Sequence, residues 1–496
     1  MGHGDGSLGT LTLDDPSRTI RTVNTSVPQG ADSFSSVTGR FFLKRGPFET
    51  TGGPFNVGGD NQTKLGTVGS FTMGQPGFSN NDTMVNVSGG NSEWGHGGRA
   101  SVTIHSGNYN QLTSNIVLAQ GENASCGVSM TGGNVALHAA GDLNINRGTG
   151  TFEINGGTLE MRDMNLGNTA GTSRGGFTLN NGLVIVNRDI DYRDNGLADV
   201  FSIWNGELRF TGAVGPGVIH MGNRAIDAGG IQEFNFHGGR ISGLETFNGD
   251  LLQEGGTLAP GLSAAVTAVT GDYTMTAGSI LEIEIDWDGV LSPPVGGVDF
   301  DQVTVGGSFD AGGADLDLVI VNPAMAVAPI GTTFTIVQGS SPVIGAFNGL
   351  LEGGAFTVDG VEFSITYAGG AGNDIVLTKQ NEVGPGVIDS DGDGVVDLLE
   401  EAFGANPADP RDGPSGLPTI VRDGGDVTLQ WRQLEAPSPY SYVAEVSPDL
   451  INWTPLGVGT LSADQTGAPP GVEFWEATIA VTPGEPVQFL RVVVEE

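Results

Sequence analysis

Twelve consecutive residues, Asp389-Ser390-Asp391-Gly392-Asp393-Gly394-Val395-Val396-Asp397-Leu398-Leu399-Glu400, hold the densest chemistry in the chain. Counted from Asp389, carboxylates stand at positions 1, 3, 5, 9 and 12, with glycine at 6. That order is the ligand pattern of a Ca²⁺-binding loop. Ca²⁺ takes six to eight oxygens at about 2.3–2.6 Å. Asp389, Asp391 and Asp393 supply three, the Val395 carbonyl adds another, Asp397 holds position 9, and Glu400 can close the shell with both oxygens. Gly394 makes the sharp turn. Leu398 to Phe403 then reads as a short exiting helix stopped by Gly404, while Pro385 and Gly386 forbid a matching helix in front. A solvated acidic linker is the weaker reading, because unliganded acids this dense repel one another. Asp409 and Asp412 could join a second ion. The expected role is structural: Ca²⁺ stiffens the joint between the segments on either side.

Other residues invite chemistry and explain themselves more simply. Glu282, Glu284, Asp286 and Asp288 alternate with Leu281, Ile283, Ile285 and Trp287. They share one face of a strand and could form a carboxylate pair for attack on a sugar or a cation stripe; alternation alone makes them a solvated outer face. Gly369 to Leu377 fits one Ca²⁺-binding nonapeptide, but such repeats share each ion between turns, so a lone copy reads as a glycine turn before a strand. Gly171-Thr172-Ser173-Arg174-Gly175 matches a nucleophile elbow, yet no helix pattern follows, as that elbow requires. His3, His96, His105, His138, His220 and His237 show no metal-ligand spacing. Arg99, Arg162, Arg174, Arg188 and Arg209 could serve as a base beside Ca²⁺-binding acids, but none sits in a recognisable acid cluster.

The elements that would carry such groups are strands. Ile154-Asn155-Gly156-Gly157-Thr158-Leu159-Glu160-Met161 recurs in variants at Met130–Leu137, Leu179–Val186, Ile203–Leu208, Phe236–Ile241 and Gln253–Leu258. From Gly132 to Gly156 to Asn181 to Asn205 the steps are 24, 25 and 24 residues. A fixed period of about 20–50 residues signals stacked repeats. With strand runs and no helix period, the natural reading is a parallel β-helix, one coil per repeat, with glycine or Asn at the corner where φ > 0 costs least. The alternating aliphatics point into a narrow core. The boundaries predicted are N-terminal strands or a cap (1–50), repetitive coils (51–260), a less periodic C-terminal part of the β-helix (261–380), a Ca²⁺-binding linker (381–415) and a β-sandwich (416–496). The fold class is all-β, the β-helix parallel and right-handed.

Several runs resemble a known family. Gly256-Thr257-Leu258-Ala259-Pro260-Gly261, the Leu281–Ile285 strand, Asp301-Gln302-Val303-Thr304-Val305 and Tyr367 to Thr378 are similar to autotransporter-associated β-strand repeat proteins. The resemblance covers roughly residues 80–380 and implies a passenger-like β-helix of a secreted bacterial protein. The chain departs from the family in lacking a following membrane barrel of about 12 amphipathic strands. The Ca²⁺ loop resembles the half-EF-hands of dockerin and thrombospondin type 3 repeats. Tyr442 to Thr454 and the ending Phe489 to Val494 resemble terminal sandwich modules of bacterial surface proteins.

Composition fits this frame. Glycine occurs 83 times in 496 residues, yet 38% of residues are hydrophobic, too apolar and too patterned for a disordered linker. Acids outnumber bases 57 to 20, a net charge of −37 that repels nucleic acid and anionic lipid and suits cations. Cys126 is the lone cysteine, so no intrachain disulfide is possible. No apolar run reaches about 18 residues, the length of a transmembrane helix. The opening Met1-Gly2-His3-Gly4 carries no signal peptide, which the Ca²⁺ motif suggests was removed from a secreted chain. The function expected is extracellular, structural or adhesive and non-enzymatic, with homo-oligomer or filament contacts at coil ends or edges. The alternative is a carbohydrate-active protein: a polysaccharide lyase or glycosidase on the coil, or a glycan-binding sandwich using Trp431, Trp453 or Trp475, which core packing would otherwise claim.

Overall fold

The computed structural model describes residues 8–22, 25–27, 37–51, 53–58, 67–76, 83–121, 123–145, 148–167, 174–192, 199–221, 233–287, 293–322, 325, 328–381, 393–411, 416–423, 426–448, 452–480 and 489–495. The fold is all-β and repetitive. Its one α-helix element among these residues is Asp397–Ala402.

Strands of successive repeats lie parallel and in register. Asn134 pairs with Thr158, Thr158 with Leu183 and Leu183 with Glu207, the same steps of 24, 25 and 24 residues that separate the glycine turns. The rungs build one sheet of 21 strands and one of 15 among the described residues. A representative rung contributes Ser125–Met130, Asn134–Leu137 and Leu143–Ile145. Parallel strands need a long connection between partners, and here the rest of the rung is that connection.

In-register stacking places like beside like. Phe152, Phe177, Phe201 and Phe234 form an interior column with ring centroids 5.7, 4.8 and 5.4 Å apart. The first three are fully buried, each worth about 1.5–3 kcal/mol by transfer. Half-buried or buried asparagines stack in the same way: Asn110 donates to Asn86, Asn134 to Asn108, and Asn165 to Asn144, all at 2.9 Å.

The glycine corner is more specific than its composition implies. The left-handed residue is always the second of the pair: Gly133, Gly157, Gly182, Gly206, Gly239 and Gly256 all have φ between +72° and +110°. Asn181 and Asn205 occupy the first position and are not among the residues with positive φ, so tolerance of φ > 0 does not explain them. The second position excludes Asn by crowding as well. A Cβ on Gly157 would lie 2.2 Å from the Gly133 carbonyl oxygen; on Gly182, Gly206, Gly239 and Gly256 it would meet the preceding glycine's carbonyl at 2.5–2.6 Å.

A second column turns another corner. The side chain of Asn91 accepts the Asn115 N–H (3.1 Å), Asn115 accepts the Asp142 N–H (2.9 Å), and Asp163 accepts the Asp189 N–H (3.2 Å). Each side-chain oxygen replaces a backbone acceptor where the strand bends.

The stack is longer than the short period implies. Leu8–Asp14 pairs parallel with Val37–Thr50, which pairs with Thr67–Met73 and Thr83–Val87. Residues expected to cap the first coil are therefore rungs. Parallel pairing also continues past residue 260, through Val303 against Val337. There Leu281 pairs with Leu316 and Val269 with Val305; the rung has lengthened, which hides the period without ending the ladder. Thr333–Gly339 then pairs antiparallel with Asp374–Lys379, followed by Val361–Gly369 and Ala355–Val358.

Residues 419–495 form two small antiparallel sheets. One contains Thr419–Asp423, Asp426–Leu434, Val472–Ala480 and Thr460–Leu461; the other Thr454–Gly457, Ser441–Ser447 and Phe489–Glu495. Their shared core includes Leu429, Trp431, Tyr442 and Ala444, joined by Ala402 and Phe403 from the helix. The helix expected in a linker thus belongs to the C-terminal module.

Candidate functional site

Of the six expected Ca²⁺ ligands, Asp389 and Asp391 lie outside the described residues, and Asp393, Val395, Asp397 and Glu400 lie within them. Asp412 is also outside; Asp409 is described and half-buried. Gly394 has φ +91°, the left-handed turn expected at the sixth position. The Asp393 Oδ1 accepts the Val395 N–H at 2.9 Å, tightening the loop. Val396 is extended and opens the helix, with Asp397 and Glu400 in its first turn, where carboxylates meet the positive end of the helix dipole.

The helix is short and its end is fixed. Ala405 N–H donates to the Glu400 carbonyl (2.7 Å) and Gly404 N–H to Glu401 (3.1 Å), with Gly404 at φ +73°. These are the two bonds of a Schellman stop. The Tyr442 hydroxyl donates to the Ala402 carbonyl at 2.6 Å, and Tyr440 to Glu401 at 2.7 Å. The sandwich therefore sets where Glu400 stands. Glu400 is only 1% exposed, and a carboxylate is buried at heavy cost unless its charge is met. The donors at positions 5, 7, 9 and 12 are all oxygens, the set a hard cation takes. Among the described residues no three His, Cys, Asp or Glu side chains are grouped closely enough to hold a metal.

The flank of the stack carries an acid–base cluster that the sequence reading passed over. Arg162 reaches Asp142 at 2.8 Å and Asp163 at 3.1 Å. Arg188 reaches both oxygens of Asp163 and lies 3.4 Å from Asp189. Arg162 and Arg188 thus do sit among acids, contrary to expectation. Asp163 is 2% exposed and holds the centre. Burial, with Asp163 beside it, pushes the Asp142 carboxyl up against the pull of Arg162. The signal was available: Gly141-Asp142-Leu143-Asn144-Ile145, Arg162-Asp163-Met164-Asn165-Leu166 and Arg188-Asp189-Ile190-Asp191-Tyr192 are one motif at steps of 21 and 26. The hydrogen bond to Asp163 holds Arg188 above its usual pKa, so it is a charge partner rather than a base.

Glu282 and Glu284 do share the outward face of a strand, Ser279–Ile285. That strand stops before Asp286, and Asp288 is outside the described residues. Glu282 takes a bidentate pair from Arg240, 2.6 Å to each oxygen. It is a cross-rung tie, neither a catalytic pair nor a purely solvated face. Gly370 to Asn373 forms the turn of an antiparallel hairpin. In the elbow-like sequence, residues 171–173 are outside the described set, and Arg174 begins a strand, Arg174–Val186. Trp431 is 2% exposed in the sandwich core and pairs across strands with Trp475, which removes it as a glycan contact. Trp453 stacks under Arg491 at 4.0 Å.

Asp301 is a buried acid at a junction between rungs. It is 1% exposed; Oδ1 accepts the Ala265 N–H (2.9 Å) and Oδ2 the Glu284 N–H (3.0 Å), joining two rungs. Burial pushes its pKa up to about 7, partly offset by those two donors. The folded state therefore holds this proton more tightly than the unfolded chain. Its contribution is fully present below the unfolded pKa and is lost as pH rises through about 7, on the order of 4 kcal/mol at most. Asp301→Asn loses one acceptor and should be less stable than wild type at pH 5, with the gap narrowing by pH 8. Urea midpoints at both values check this; a gap constant with pH would refute it.

No protein-family model matches the chain, and no curated protein or solved structure is significantly similar to it.

Proposed function

We propose that the chain is an extracellular structural and adhesive protein. In this reading it is a right-handed parallel β-helix, similar to autotransporter-associated β-strand repeat passengers, that carries a Ca²⁺-stabilised β-sandwich. The observation that carries the proposal is the pair of sheets whose parallel rungs succeed one another between Leu8 and Gly339 among the described residues. What recurs along it is Gly on Gly, Asn on Asn and Phe on Phe, the requirements of stacking. The prominent flank arginines are held by carboxylates, which supports a mechanical over a catalytic role. Asp389, Asp391, Asp393, Val395, Asp397 and Glu400 would hold the ion. Bound there, Ca²⁺ supplies the positive charge that lets acidic side chains converge. The fixed position of Glu400 supports that assignment, and in this reading the ion would stabilise the C-terminal module rather than a joint.

End contacts would use Leu8–Asp14, which pairs on one side only, with Val37–Thr50, among the described residues; such an edge templates further strands. No helix of the described residues is long and apolar enough to cross a membrane. Electron microscopy of the native protein with and without EDTA tests the assembly. Subunits in end-to-end contact with Ca²⁺, dispersed by chelator, are expected. Isolated monomers under both conditions would remove the filament, and reducing-sugar release from acidic polysaccharides would replace the structural reading with an enzymatic one.

A further inference from the structure

Trp204 stands apart from the other aromatic side chains. It is 56% exposed, and no other Trp, Tyr or Phe among the described residues is as exposed. Interior aromatics here are buried in columns, whereas this indole leaves more than half of its surface open on an ordered rung, with an apolar plane and a polar N–H that a ligand can use. Its neighbours are ordered by the register. Met130, Ile154, Leu179, Ile203, Phe236 and Gln253 are aligned along the ladder. The residues after them, Thr131, Asn155, Asn180, Trp204, His237 and Glu254, therefore form one outward file beside the glycine corner.

The file is held in place by its own contacts. His237 stacks on Trp204 with centroids 4.1 Å apart and 27° between planes, and its Nδ1 lies 2.6 Å from Glu254. Asn180 donates to Asn155 (2.9 Å), and both donate to one oxygen of Glu153 (2.9 and 3.1 Å). Glu153 also lines a shallow trough of about 470 Å³, with Ser101, Thr103, Ser129, Thr151 and Thr178 along it. Fixed amides, a carboxylate and hydroxyls beside an exposed aromatic plane match the two faces of a pyranose: equatorial hydroxyls and an apolar C–H face.

We infer that this file and trough bind a linear neutral glycan running along the stack, with Trp204 as the stacking platform. The inference rests on the adhesive reading above and supplies its ligand. Two observations select the occupant. Rungs are about 4.8 Å apart, close to the rise per sugar of an extended β-linked chain, so one sugar meets one rung. Net charge is −37, and Glu153 and Glu254 stand in or beside the file, which disfavours an anionic polysaccharide.

The test is calorimetric titration of the full chain in Ca²⁺ with cellohexaose, mannohexaose, xylohexaose and, as the anionic arm, a polygalacturonate hexamer. Saturable binding of at least one neutral hexamer is expected. Trp204→Ala should weaken it at least tenfold and Trp204→Phe less, with unfolding midpoints shifted only slightly, because the indole is 56% exposed and its loss removes just the His237 stack. Binding that survives Trp204→Ala, binding of the anionic hexamer alone, or no binding to any of the four would each overturn the inference. Microscopy reports separately on assembly, so a chain that assembles without binding glycan would retain the structural reading and lose this site.

Discussion

Gly157→Ala should lower the stability of the stack by about 3–5 kcal/mol, and Gly278→Ala by only about 1–2 kcal/mol. Both glycines have nearly the same positive φ, +89° and +92°. An L-residue there costs about 1–2 kcal/mol in either case. The surroundings differ. A methyl group at Gly278 meets nothing within 4 Å, whereas at Gly157 it lies 2.2 Å from the Gly133 carbonyl oxygen and 2.8 Å from the Gly132 carbonyl carbon. Those atoms are backbone of the preceding rung, and they cannot move without opening the ladder that Thr158 N–H makes to Gly133 (2.9 Å). Because rungs contact mainly their neighbours, the damage should also be local. Limited proteolysis should cut near residues 130–185 in Gly157→Ala and leave Gly278→Ala resistant. Equal losses in the two variants would show that backbone conformation alone selects glycine and that rung-to-rung contact contributes nothing.

The second large effect concerns Ca²⁺. An ion bound only by the folded module stabilises it by about 2.7 kcal/mol at 100 times Kd and about 4.1 kcal/mol at 1,000 times. Differential scanning calorimetry of the full chain should therefore resolve two transitions. The one belonging to the sandwich should rise with Ca²⁺ and fall with EDTA; the one belonging to the stack should stay. Glu400→Gln keeps the side chain's shape and removes its charge and bidentate grip, so at least tenfold higher Ca²⁺ is expected for the same shift. This variant separates the loop from diffuse association with 57 acids, which Glu400→Gln would barely alter. If Ca²⁺ moves neither transition, or moves both equally in wild type and variant, the loop is not a specific site.

The strand alternation, the glycine period and the exiting helix were legible in the sequence, because each follows from local rules: two-residue alternation, left-handed turns, and a helix stop at Gly404. What escaped was set by distances between rungs. Asn and Gly look interchangeable at a left-handed corner; the backbone angle and the neighbouring carbonyl show that Gly182 and Gly206 hold the left-handed position while Asn181 and Asn205 do not. The Asp142, Arg162, Asp163 and Arg188 cluster spans unequal steps, so no fixed period brings its members together on paper. Beyond residue 260 the longer rungs disguised a ladder that continues. Trp204 had no pattern to betray it, since a recognition surface obeys its ligand rather than the repeat.

The corner column has a consequence for how such a molecule changes size. Glu207 pairs with Arg240 and Arg240 with Thr257, so one rung spends 33 residues and the next 17 while the glycines stay aligned. Peptide length and axial length are thus decoupled. Inserting residues between corners adds bulk at the side and no height. Duplicating or deleting a whole unit, from one corner glycine to the next, changes the height by about 4.8 Å and leaves both ends as they were. The protein is graduated like a ruler. Recombination between near-identical corners would lengthen or shorten it in discrete marks, without redesigning the C-terminal module.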